Sequence, residues 1–85
     1  MLVYKNSFTR QAYKALRRIP INVVHRIRGK LDQVAKDPYA QHTNVSKLRN
    51  RRGYRLRVGD WRVIYDVQED ELTVLVLKVG PRGDI

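Results

Sequence analysis

Apolar residues recur at the three- and four-residue steps of an amphipathic helix in two stretches of the chain. The first stretch places Phe8, Ala12, Leu16 and Ile19 on one face. Ser7 precedes this face and is the predicted N-cap, because a serine hydroxyl can accept a hydrogen bond from a free N–H of the first turn. These positions predict a helix that packs one face against a core.

The second stretch begins at Pro20, which suits the first position of a helix because that position needs no N–H donor. Its apolar stripe consists of Val24, Ile27, Leu31 and Val34. Asp37-Pro38 ends the helix, since the residue before a proline is forced out of the helical region. The short link between the two helices predicts an antiparallel helical hairpin.

The remaining apolar positions predict strands. Residues 1–5 form a predicted first strand, and residues 38–53 lack periodicity and are a predicted loop. Three strands follow at about 54–58, 61–67 and 72–79, with turns at Gly59-Asp60 and Gln68–Glu71. The order β-α-α-β-β-β predicts an α+β fold, in which the helical hairpin packs on a mainly antiparallel four-stranded sheet. A length of 85 residues predicts one domain, residues 1–85.

A two-residue turn at Gly59-Asp60 fixes the pairing of the first two of these strands. Arg57 then lies opposite Arg62, and Arg55 shares their face, while the aromatic and aliphatic residues share the other. Like charges across a sheet are destabilising, so we expect a phosphate between the two guanidiniums. Two alternatives stay open: the long side chains extend into water, or the register shifts by one residue and exchanges the faces.

The charge of the whole chain supports an anionic partner. The net charge is +10, and residues 1–59 hold fifteen Lys and Arg against two acidic residues. Nucleic acid, anionic lipid and an acidic protein all fit this excess, and we favour nucleic acid. The end of the predicted loop carries four candidate RNA contacts: Lys47, Arg49, Arg51 and Arg52.

The sequence contains few groups suited to acid–base or metal chemistry. There is no cysteine, no metal-binding motif and no glycine-rich phosphate loop, and His25 and His42 have no partner at a telling spacing. No metal or cofactor is therefore expected. An enzyme of this composition would act through positive charge on RNA, whose 2′-OH supplies the nucleophile. Arginine is a poor base, which leaves the tyrosines and Lys47 as candidate proton acceptors.

A helical hairpin followed by KLR, YRLRVGDWRVIYDV, an acidic turn, an apolar strand, VG and a last Arg resembles the RelE toxins of the RelE/ParE superfamily. The resemblance covers nearly the whole chain. It implies a cytoplasmic toxin of a type II toxin–antitoxin system that cleaves mRNA in the ribosomal A site and so inhibits translation. The family's catalytic basic positions fall on Arg55, Arg57, Arg62 and Arg82. The implied partners are the ribosome, mRNA and an acidic RelB-like antitoxin, without a membrane partner.

Two other functions stay open beside this one: a ParE-like inhibitor of DNA gyrase, and a basic RNA-binding module without catalysis. The chain also departs from the RelE pattern. Some members have Lys where this chain has Arg55 and Arg57, and members often have His or Lys where it has Pro81. Many carry a tyrosine just beyond the position of Ile85, so we expect lower activity from the 85-residue form.

Overall fold

The computed structural model describes residues 3–85 and has the predicted α+β architecture. Its elements are β1 (Lys5–Phe8), α1 (Arg10–Leu16), α2 (Ile21–Lys36), β2 (Val45–Lys47), β3 (Tyr54–Val58), β4 (Trp61–Gln68), a 3-10 turn (Glu69–Glu71) and β5 (Thr73–Pro81). Both helices pack on one face of the sheet and enclose the core with it. No helix within residues 3–85 is long and apolar enough to cross a membrane.

The sheet has five strands in the order β1-β5-β4-β3-β2, so the prediction of four strands was wrong. β1 runs parallel to β5, and the other neighbours are antiparallel. The missed strand is β2, which pairs Val45 with Leu56 and Lys47 with Tyr54. It was predicted as loop because three residues at a sheet edge are too few to show alternation.

The N-terminal boundaries also differ from those predicted. β1 covers Lys5–Phe8 instead of residues 1–5, of which residues 1 and 2 lie outside the described part. Ser7 pairs with Leu75 in the sheet, and the N-cap is Thr9, whose hydroxyl accepts a hydrogen bond from the Ala12 N–H at 3.1 Å. The same hydroxyl donates to the Leu77 carbonyl at 2.9 Å, which attaches the start of α1 to β5.

The core lies between the helices and the inner face of the sheet. Most of the helical part of the core comes from α2, whose buried residues include Ile27, Leu31 and Val34. β3, β4 and β5 contribute Leu56, Val63, Tyr65, Val74 and Val76. Because side chains alternate along a strand, Arg55, Arg57 and Arg62 project from the opposite face, which we call the outer face.

Tyr65 is the largest fully buried side chain, and its hydroxyl has no hydrogen-bond partner among residues 3–85. Its ring stacks on that of Tyr54, with 5.3 Å between the centroids. Burial, and in second place Tyr54, raise the pKa of Tyr65 above the ordinary value of 10.0. The folded protein thus keeps this proton at a pH where the unfolded chain loses it, and the associated stability, present below about pH 10, is lost as the pH rises.

Tyr65→Phe is expected to raise the free energy of unfolding at neutral pH by about 1 kcal/mol, because it removes a buried, unpaired hydroxyl. It should also reduce the loss of stability between about pH 9 and about pH 11. Urea denaturation across this range measures both effects. Tyr13→Phe, on an exposed tyrosine of α1, is the matched control. A Tyr65→Phe protein that is less stable than the wild type would show that the hydroxyl has a partner in solution.

Candidate functional site

The strand pairing of β3 with β4 confirms the register predicted from the two-residue turn. Arg57 lies opposite Arg62, Arg55 opposite Ile64, and Val58 opposite Trp61. Gly59 in the turn has a φ of +57°, a conformation that glycine adopts without steric cost. The hairpin therefore brings three guanidiniums together on the outer face.

Uncharged oxygens hold the two opposed guanidiniums. Nη2 of Arg57 donates to Oδ1 of Asn44 at 2.7 Å, and the Arg57 N–H donates to the Asn44 carbonyl at 2.9 Å. Nη1 of Arg62 donates to the carbonyls of Gly59 and Trp61, each at 2.9 Å. The side chains are thus anchored to the protein, and that of Arg57 is at the same time solvent-exposed. Since a guanidinium has five N–H donors, most of its hydrogen-bonding capacity stays available to an anion, and its charge is not neutralised by these anchors.

These arginines line an open groove of about 390 Å³, which we call the arginine groove. Its walls are formed by Asn44, Val45, Ser46, Arg55, Arg57 and Arg62. Three cations and two neutral polar side chains converge on it from β2, β3, β4 and the residue that precedes β2. Such a lining is suited to bind a phosphate, because the planar fork of arginine matches two phosphate oxygens at once.

A second groove, of about 720 Å³, adjoins the first, and we call it the loop groove. It is lined by Ser46, Lys47, Leu48, Arg49, Arg51, Arg55 and Ile85. Ser46 and Arg55 belong to both grooves, so the two form one continuous track. Three of the four candidate RNA contacts in the predicted loop, Lys47, Arg49 and Arg51, therefore lie beside the arginine groove.

The fourth candidate, Arg52, points elsewhere. Its Nη2 lies 3.5 Å from Oδ2 of Asp66, and it lines a different groove together with Tyr39 and the acidic 3-10 turn. Arg52 is 83% exposed, so this ion pair adds little to stability. The structure thus separates Arg52 from the other three loop cations.

Arg82 lies next to the hairpin and outside the wall of the arginine groove. Its N–H donates to the Asp60 carbonyl at 2.7 Å, which ties the segment after β5 to the turn between β3 and β4. The side chain is exposed. Of the four predicted catalytic residues, the structure brings Arg55, Arg57 and Arg62 into one groove and places Arg82 at the rim of the same hairpin.

Two residues near the site had not been singled out in the sequence. Asn44 anchors Arg57, and its φ of +69° is one that asparagine tolerates better than most residues. Arg26 of α2 reaches the hairpin turn, with Nη2 3.3 Å from the position a Cβ on Gly59 would take. Asn44 lies in a stretch without periodicity, and Arg26 resembles any charged residue on the exposed face of a helix, so neither gave a sequence signal.

The candidate proton acceptors are placed unequally. Tyr54 and Tyr65 lie on the core side of the sheet, and the raised pKa of Tyr65 keeps its hydroxyl protonated. Lys47 lines the loop groove and contributes the one amine in the walls of the two grooves. The track therefore offers abundant positive charge and a single amine, that of Lys47.

Comparison with known proteins identifies the family. The model of the family described as the ParE toxin of the type II toxin–antitoxin system parDE matches residues 3–85. The chain belongs to the RelE/ParE toxins. It is therefore a toxin of a type II toxin–antitoxin system, as its resemblance to RelE implied. No curated protein sequence matches it.

Solved structures agree with this assignment. The chain resembles one from the archaeal RelE–RelB complex of Pyrococcus horikoshii with 31% identity and a TM-score of 0.81, over 99% of this toxin and 100% of that chain. It resembles the isolated RelE toxin of Escherichia coli with 27% identity and a TM-score of 0.81, over 93% and 84% of the two chains. A chain of the RelBE2 complex of Mycobacterium tuberculosis, 23% identical over 99% of this toxin and 97% of that chain, shares the fold with a TM-score of 0.80.

Proposed function

We propose that this toxin is a ribosome-dependent mRNA endonuclease that cleaves mRNA in the ribosomal A site and inhibits translation in the cytoplasm. The observation that carries the proposal is the pair of opposed guanidiniums of Arg57 and Arg62, each anchored by neutral oxygens and open to an anion. A fold selected for stability alone would not place like charges directly across a sheet. A phosphodiester between them removes that repulsion.

The chemistry follows from the lining of the arginine groove. The 2′-oxygen of the RNA attacks the adjacent phosphorus, the O2′–P bond forms and the P–O5′ bond breaks, which leaves a 2′,3′-cyclic phosphate and a 5′-hydroxyl. Negative charge builds up on the phosphoryl oxygens in the transition state, and Arg55, Arg57 and Arg62 stabilise it from fixed positions. This step uses no metal, so the toxin would be a metal-independent endoribonuclease.

Proton transfer is the part of the reaction for which the groove is poorly equipped. The 2′-hydroxyl must lose a proton and the departing 5′-oxygen must gain one, whereas arginine keeps its proton at neutral pH. Lys47 in the loop groove is the amine available for this transfer. A site that provides charge but little acid–base capacity accounts for dependence on the ribosome, which would align the RNA and contribute the missing proton acceptor.

The test is translation of a defined mRNA in vitro with and without the toxin, followed by primer extension to map 5′ ends. Cuts within A-site codons that require ribosomes would support the proposal. Cuts in the same RNA without ribosomes would indicate a free ribonuclease instead. Intact mRNA together with RNA binding would indicate the non-catalytic module.

A second function, inhibition of DNA gyrase, is favoured by one observation: the family model that matches residues 3–85 is that of the ParE toxin. The RelE/ParE family includes toxins without nuclease activity, so family membership alone does not decide between gyrase inhibition and mRNA cleavage. A supercoiling assay with purified gyrase discriminates the two functions. Loss of supercoiling at toxin concentrations that leave mRNA intact would replace the endonuclease proposal.

For a partner, we propose an acidic, RelB-like antitoxin that covers the arginine groove. The P. horikoshii and M. tuberculosis neighbours come from toxin–antitoxin complexes, which supports a partner of this kind. The net charge of +10 supports its acidic character, because complementary charge accelerates encounter and suppresses wrong partners. An antitoxin carboxylate in the arginine groove would take the position of the RNA phosphate.

Ribosome binding is expected to weaken steeply with salt. The two grooves present six cations, Lys47, Arg49, Arg51, Arg55, Arg57 and Arg62. If each neutralises one phosphate, the logarithm of the affinity should fall against the logarithm of the salt concentration with a slope of about −4. Co-sedimentation with ribosomes at a series of salt concentrations measures it. A slope near zero would exclude the track as the docking surface.

A further inference from the structure

The loop groove contains a pair of apolar side chains among its cations, and phosphate binding does not explain them. Leu48 and Ile85 are both partly exposed in a wall that otherwise carries Ser46 and four cations, Lys47, Arg49, Arg51 and Arg55. A surface that bound only phosphates would need neither of them. The groove therefore combines two kinds of chemistry, a charged rim and a small apolar patch.

Both apolar side chains lie beside a glycine of the sheet or of the chain leading into it. Cδ1 of Leu48 lies 3.3 Å from the position a Cβ on Gly53 would take, and the Leu48 N–H donates to the Gly53 carbonyl at 3.0 Å. Cδ1 of Ile85 lies 3.2 Å from the corresponding position on Gly80. Gly80 pairs with Arg62 in the sheet, so Ile85 rests directly beside the strand position that supports the arginine groove.

We propose that the loop groove binds the base of the nucleotide next to the phosphate in the arginine groove, with Leu48 and Ile85 in contact with the base. This inference rests on the proposed function and adds a nucleotide-binding subsite to it. A nucleobase has apolar faces, and its neighbouring phosphates take the flanking cations, so the mixed lining fits one nucleotide of a single strand. Continuity through Ser46 and Arg55 lets the strand pass from one groove to the other.

An acidic peptide is the other occupant that this lining would admit, and the track favours RNA over it. The loop groove opens into a site whose opposed arginines call for a phosphate, and a single RNA strand supplies phosphate and base in fixed succession. A peptide would have to place a carboxylate and an apolar side chain at the same spacing. Measuring the affinity of an acidic peptide beside that of RNA distinguishes the two occupants.

The test measures the affinity of the 85-residue toxin for a fluorescent 2′-O-methyl RNA tetranucleotide, which cannot be cleaved because its 2′-oxygens are blocked. A series of the same oligonucleotide carries one abasic position at a time. We expect one abasic position to weaken binding to the wild type about tenfold. In Ile85→Ala that penalty should fall to about threefold, because one of the two apolar contacts with the base is gone while that of Leu48 remains. Ile21→Ala removes the same atoms from an isoleucine that is 68% exposed on α2, and it should keep the full penalty.

Each other outcome overturns the inference. Abasic oligonucleotides that all bind as tightly as the intact one, no measurable RNA binding, or a full penalty in Ile85→Ala would exclude a base subsite at Ile85. An acidic peptide whose affinity falls in Ile85→Ala, while that of RNA does not, would assign the groove to a protein partner. Because the RNA is uncleavable and no ribosome is present, failure here is distinct from failure of the endonuclease proposal in the translation assay.

Discussion

Arg62→Ala is expected to lower A-site cleavage by about 10²- to 10³-fold, the effect typical of removing one fixed donor from a developing negative charge. Arg62 qualifies because two main-chain carbonyls hold its guanidinium before any substrate arrives. Fixed charge of this kind needs no rearrangement when the transition state forms. A mobile surface arginine, by contrast, would spend part of its interaction energy on losing rotamer freedom.

The same substitution should leave the protein folded. It removes two hydrogen bonds at the edge of the arginine groove, and it also removes the repulsion between Arg57 and Arg62. These effects oppose each other, so the free energy of unfolding should change by less than about 1 kcal/mol. A cleavage defect in a stable variant is therefore a defect of the site.

Primer extension on translated mRNA gives the cleavage rate, and urea denaturation gives the stability. Arg28→Ala is the matched control because it removes the same charge from the opposite side of the molecule, where the guanidinium lies 5.0 Å from the centre of the Phe8 ring. The control should cleave at close to the wild-type rate. Equal cleavage by Arg62→Ala and the wild type would show that the arginine pair does not contact the scissile phosphate.

Local rules were sufficient to predict the hairpin but not what surrounds it. The pairing of Arg57 with Arg62 follows from the length of the turn at Gly59-Asp60, and no distant contact alters it. β2 escaped prediction because a three-residue edge strand forms only when β3 is already present to pair with it. Its existence depends on the tertiary structure, which local patterns do not encode.

The residues of the candidate site likewise fall into those that the sequence predicted and those that it missed. The outer-face arginines could be found from alternation along the strands, whereas their anchor Asn44 could not, since it lies in an irregular segment. Arg52 shows the limit of grouping cations by proximity in sequence. It is one residue from Arg51, yet the chain turns between them so that Arg51 faces the loop groove and Arg52 faces Asp66.

Gly53→Ala is expected to destabilise the toxin by about 3 kcal/mol, from backbone strain and a steric clash together. Gly53 has a φ of +116°, which L-residues rarely adopt. A Cβ at this position would also lie 2.9 Å from the main-chain oxygen of Tyr65. Relief of that contact requires the chain before β3 to move away from β4, and a domain of this size has only about 4 to 13 kcal/mol of stability to lose.

The substitution should disturb the site as well as the stability. The Gly53 carbonyl accepts the Leu48 N–H, so a displaced Gly53 carries Leu48 and the wall of the loop groove with it. Affinity for the uncleavable RNA tetranucleotide should therefore fall in the fraction of Gly53→Ala that is still folded. Arg62, on the neighbouring strand, keeps its own anchors and should keep its contribution to binding.

Substitutions at two other glycines distinguish backbone strain from the steric clash as the cause of the destabilisation. Gly83 has a φ of +97° with nothing within 4 Å of the added Cβ, so Gly83→Ala tests positive φ without a clash. Gly29 lies inside α2 with the same open space, and Gly29→Ala should stabilise the toxin by about 0.5 to 1 kcal/mol through helix propensity. Urea denaturation should rank the proteins, from the most to the least stable, in the order Gly29→Ala, wild type, Gly83→Ala, Gly53→Ala. If Gly53→Ala is no less stable than Gly83→Ala, the close approach of Gly53 to β4 does not hold the loop groove in place.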